Sequence, residues 1–132
     1  MIDFSAIEAE LKTALAVVDK FKTIEAGRIR ETVATSLMPA LDISCFGHQY
    51  NFHDPEAQYK IPTAIVIRCM GFDRTDNANA FKVLFERACA ILETLRGTAF
   101  NVVRGIDAQI QETDSGNGSI VRAGVIQLTL WA

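Results

Sequence analysis

No run of lysines or arginines occurs in this 132-residue chain, and its formal net charge is -3. Nothing in it builds the electropositive face that phosphate backbones require, so nucleic-acid binding is not expected. The apolar runs are no longer than a strand, which argues against a membrane-spanning helix. Cysteines are few and odd in number, and Cys45, Cys69 and Cys89 each sit inside an apolar stretch. That usage predicts buried free thiols in a reducing compartment, and neither a disulfide framework nor a CxxC redox pair. The opening MIDFSAIEAE places acids where a signal peptide would carry positive charge, so the expectation is a protein made and kept in a cytoplasm. With only two histidines and no GxSxG-type elbow, a nucleophile, base and orienting acid cannot be assembled from motifs. The expectation is a non-enzyme with no catalytic residue, no cofactor and no metal.

What the chain does have is apolar patterning. At 49% hydrophobic and 22% charged residues it has the composition of a folded protein. Its length suits one domain over residues 1–132. The organising stretch is DNANAFKVLFERACAILETLRG, from Asp76 to Gly97. Phe81, Leu84, Phe85, Ala88, Ile91, Leu92 and Leu95 recur at spacings of three and four, forming one apolar stripe along a helix. Asp76 and Asn77 suit its N-cap, and Gly97 suits the left-handed position past its end.

Elsewhere a first helix is expected over 5–21, opened by a Ser5-Ala-Ile-Glu8 capping box. Phe21–Ile24 reads as a short extended segment. Over 28–37, Ile29, Val33 and Leu37 fall four apart and favour a short helix, against the β-branched Thr32, Val33 and Thr35. ALDISCF alternates as a half-buried strand, whereas IPTAIVIRCMGF is apolar at both parities and reads as a central strand. Phe100–Glu112 and Ile120–Trp131 complete the strands, with loops expected over 47–60 and 113–119. The fold class predicted is α+β, a mostly antiparallel sheet of four to five strands with two main helices packed on one face.

Three features bear on function. Cys45, His48, His53 and Asp54 hold metal-ligand chemistry, but their spacing matches no standard zinc pattern. Gly116-Asn-Gly118 is followed by strand-like residues rather than a helix, so it reads as hairpin glycines and not a phosphate loop. Val83 and Ala90 interrupt the polar side of the long helix, and the last strand has a second face, Val125, Thr129 and Trp131, that one helical layer leaves open. A patch including tryptophan points to a subunit contact, so self-association is expected.

The whole-chain pattern resembles the tail terminator (tail completion) and minor tail proteins of long-tailed bacteriophages. The likeness is one of order and hydropathy over nearly all 132 residues. An amphipathic helix comes first, then the Pro-apolar strand MPALDISCFG, a variable loop and the apolar strand IPTAIVIRCMGF. A polar link leads into DNANAFKVLFERACAILETL, and two strands across a loop end in VRAGVIQLTLWA. The resemblance implies a structural virion protein, assembled in the host bacterial cytoplasm and located in the tail. It implies a homo-oligomeric ring, commonly a hexamer, that caps the tail tube, ends its polymerisation and meets the head-tail connector. On that reading the partner-binding residues are Tyr50, Phe52, Asp54 and Tyr59 in one loop, Asp114 and Asn117 in another, and the apolar Val83 and Trp131. Arg68, in the most apolar strand, would pair with a carboxylate of its own or a neighbouring chain. Two alternatives remain open: a neck protein of the head-tail joint, and a small cytoplasmic ligand- or zinc-binding domain using the His48/His53 loop.

Overall fold

The computed structural model describes residues 3–18, 21–47, 49–50, 59–71, 76–96, 100, 102–114 and 120–131. Helix α1 (Phe4–Leu15) comes first, followed by strands β1 (Thr23–Ala26), β2 (Ala40–Cys45), β3 (Gln49–Tyr50) and β4 (Tyr59–Gly71). Helix α2 (Asp76–Thr94) leads into the long strands β5 (Val102–Asp114) and β6 (Ile120–Trp131). The strands form one sheet in the order β1-β2-β4-β6-β5, with the two-residue β3 also paired to β4. Every pairing is antiparallel except β1 with β2, which is parallel. The architecture is the expected α+β one, and the sheet is mostly antiparallel as expected.

The period-two pattern decides which side of each strand meets the helices. Leu41 and Ile43 of β2, Ile61, Ile65 and Ile67 of β4, and Ile126, Leu128 and Leu130 of β6 share one face by register and are buried. Against them lie Ile7, Leu11 and Leu15 of α1 and Phe81, Leu84, Phe85, Ala88 and Leu92 of α2, in one continuous core. Each isoleucine, leucine and phenylalanine among them contributes roughly 1.5–3 kcal/mol on burial. Both helices therefore lie on the same side of the sheet. Gly124 of β6 lets α2 come close: a methyl group there would collide with the ring of Phe85 and reach 3.2 Å from Phe81 Cζ. Those two rings stack with centroids 5.9 Å apart.

Helix α1 is shorter than its pattern suggested. Asp3, not Ser5, caps it, its carboxylate accepting from the Ala6 amide at 3.1 Å. Glu8 closes no capping box either. Its Oε2 accepts from the backbone N–H of Cys45 at 3.1 Å, where β2 has run past the end of β1 and has no neighbour to accept from it. The caps expected for α2 fall on side chains outside those described.

Residues 28–37 do not form the expected helix; only Thr35–Leu37 make a single 3-10 turn. The chain needs this stretch to return from the end of β1 to the start of the parallel β2. It crosses the sheet on the side opposite the helices, held there by ionic contacts of Arg30. The loop boundaries shift as well: Gln49 and Tyr50 pair with Lys60 and Tyr59, and Thr113 and Asp114 pair with Val121 and Ile120. These residues belong to strands, not to loops.

Candidate functional site

The helix-free face of the sheet carries the groups most suited to recognition. Its residues alternate with the core set: Asp42 and Ser44 on β2, Pro62, Ala64, Val66 and Arg68 on β4, Val125, Gln127, Thr129 and Trp131 on β6. Among the described residues, the crossover closes one half of it and nothing covers the other half.

In the closed half, Asp42 has no solvent exposure and holds two arginines. Its Oδ1 accepts from Arg30 Nε at 2.7 Å, with Arg30 Nη2 also at 2.6 Å, and its Oδ2 accepts from Arg68 Nη1 at 2.6 Å. The Arg30 backbone N–H adds a fourth contact at 3.2 Å, and Arg68 Nη2 donates to the Arg30 carbonyl at 2.8 Å. Arg68 thus finds its carboxylate within its own chain. Asp42, whose strand position alternates with the core residues as a solvent-facing one would, is instead the hub that fastens the crossover to β4. An unpaired charge there would cost several kcal/mol, on the order of 3–5.

In the open half, Val125, Thr129 and Trp131 are half-buried and Gln127 is exposed. Lys60 places its ammonium 4.9 Å from the Trp131 ring centre. Phe46 continues the β2 ladder by donating its N–H to the Pro62 carbonyl at 3.0 Å, which sets it on this face, and it is 62% exposed. A shallow depression of about 50 Å³ lies beside the bulge of β5, lined by Asp107, Gln109, Val125 and Gln127. Small-molecule sites usually span about 300–1,000 Å³ and are largely apolar, so this hollow is no cofactor pocket. On the other side of the molecule, Val83 is 54% exposed on α2, with Ala90 also exposed.

The sequence-derived contact residues divide between two ends of the sheet. Tyr50 pairs with Tyr59, and Lys60 pairs with Trp131, so these positions gather at one end. Asp114 pairs with Ile120 and Gly71 with Ile120, at the opposite end. The 13 residues of β4 separate the two ends by about 40 Å. Val83 belongs to neither group. Phe52, Asp54 and Asn117 lie outside the described residues, as do His48 and His53. Phe46 was missed as a contact residue: it closes the ALDISCF strand, and nothing local in the sequence shows that its face of the sheet stays uncovered.

The thiols are free and half-buried rather than fully enclosed. Burial pushes the Cys69 thiol up to about 11, with Arg122 pulling the other way. Cys45 is raised by burial, partly offset by a hydrogen bond from Thr63, and Cys89 is raised by burial and by Glu93 and Glu86. None is poised as a nucleophile. Among the described residues no three His, Cys, Asp or Glu side chains are grouped to hold a metal ion, and no helix is long and apolar enough to cross a membrane.

No family model matches the chain, and no curated protein matches it. Among solved structures it is similar to a chain from the virion of a native gene transfer agent particle, at 12% identity and a TM-score of 0.46. That alignment covers 97% of this chain and 96% of the other.

Proposed function

We propose that this chain is a structural virion protein: a ring subunit that caps the tail tube of a phage or phage-derived particle, ends tube polymerisation and forms the surface for head-tail joining. The role is non-enzymatic, and its partners are copies of itself, the tail tube protein and the head-tail connector.

The observation that carries this reading is the one-sided covering of a two-faced sheet. Both helices lie on one face, while Phe46, Val125, Thr129 and Trp131 leave apolar surface open on the other. An aromatic residue 62% exposed on the same sheet face as a half-buried tryptophan is the composition of a contact surface, not of a solvated one. The separation of the end holding Tyr50 and Tyr59 from the end holding Asp114 adds to it. A subunit with contact residues at both ends of a rigid sheet about 40 Å long can touch one partner below and another above. The order of helical and apolar stretches in the sequence, which resembles that of the tail terminator family, supports the same reading.

The test is to add the purified protein to polymerising tail tube protein and measure tube length by electron microscopy. The proposal expects short tubes bearing a ring at one end. Tubes that elongate to the same length with and without the protein would overturn the terminator role.

A further inference from the structure

We infer that neighbouring subunits join edge to edge, the free side of β5 in one copy adding to the free side of β1 in the next. This rests on the ring reading above and names the contact that would close such a ring.

The sheet ends in two unlike edges, β5 on one side and β1 on the other. Exposed edges present unpaired backbone donors and acceptors, and proteins that stay monomeric blunt them with proline, lysine or bulges. Strand β5 has 13 residues and contains neither proline nor lysine. It has one bulge, between Arg104 and Asp107, after which its register with β6 runs unbroken from Asp107 to Asp114. Within that regular half, Asp107, Ala108 and Gln109 are exposed and Ile110 is 42% exposed. An isoleucine held on an uncharged edge segment, AQIQ, is a template for another strand.

Charge selects which strand. The regular half of β5, DAQIQETD, carries three acids and no cation. Pairing β5 with β5 of another copy would therefore set acids against acids. Around strand β1 the exposed cations Lys22 and Arg28 outnumber the one acid, Glu25, which Arg28 binds at 3.3 Å, leaving a net positive charge. Its four residues match the length of Asp107–Ile110. Joining unlike edges is a heterologous contact, and when the rotation closes it yields a ring.

Native mass spectrometry and amide hydrogen exchange on the full chain test this together. In the assembled wild type, amides of 23–26 and 107–110 should exchange at least tenfold more slowly than in the dilute monomer. Ile110→Lys should dissociate the assembly while leaving the monomer folded by circular dichroism. Asp107→Lys should weaken assembly, and combining it with Lys22→Glu and Arg28→Glu should restore it. Rings whose two edges exchange as freely as in the monomer would overturn this contact and leave the ring reading standing. Protection of β5 alone, in a two-fold dimer, would also overturn it. A wild-type chain that stays monomeric at every concentration would remove both.

Discussion

Arg68 Nη1 lies 2.6 Å from Asp42 Oδ2 across neighbouring strands, and Asp42 is fully buried beneath the residue-30 crossover. The same carboxylate binds Arg30, so one acid fixes a strand and a loop that are distant in sequence. Removing it leaves two guanidiniums, each only 15% exposed, without a counter-charge. Asp42→Ala should therefore cost about 3–5 kcal/mol, read as a fall in the urea midpoint. A loss under about 1 kcal/mol would mean that the triad is structurally idle.

Gly124 supplies a second, independent probe, at the helix–sheet contact. Its missing Cβ is the space that the Phe85 ring occupies. Gly124→Ala should destabilise by about 1–3 kcal/mol through overpacking, although alanine favours a strand more than glycine does. A stabilised variant would place the two rings elsewhere.

The Cys69 thiol gives the pH dependence. Its folded value of about 11 lies above the ordinary 9.0, so the folded chain keeps its proton where the unfolded chain loses one. The resulting stability is fully present below about pH 9 and is lost as pH rises towards 11. Wild type should lose stability over that window more steeply than Cys69→Ala. Parallel curves would contradict it.

At the open face, Phe46→Asp should change monomer stability by no more than about 0.5 kcal/mol, since the ring is exposed. Tube capping should fall sharply in the same variant, read as tube length by electron microscopy, while edge-to-edge self-association persists. Unchanged capping would exclude this face from the contact with the tube.

The elements that sequence periodicity reveals are those whose partners are chosen by one apolar face. Helix α2, and the inward residues of β4 and β6, needed nothing else. Residues 28–37 misled because Ile29, Val33 and Leu37 share a helical spacing, whereas Arg30 is bound to Asp42 twelve residues on. Glu8 misled likewise: a capping-box position in the sequence serves Cys45 thirty-seven residues away. Asp42 alternates with the core residues as a solvent-facing residue does, and its burial follows only from two remote arginines. Long-range polar contacts leave no period in a sequence, so the parallel β1–β2 unit and the closed half of the outer face were not legible. The open half was partly legible, through Val125, Thr129 and Trp131, because a strand apolar on both sides needs two covers.

The most direct measurement is the native mass of the purified chain at micromolar concentration. The account predicts one closed assembly of identical copies, seen as rings by negative stain. A single species at the 14.5 kDa of one chain across that range would contradict it.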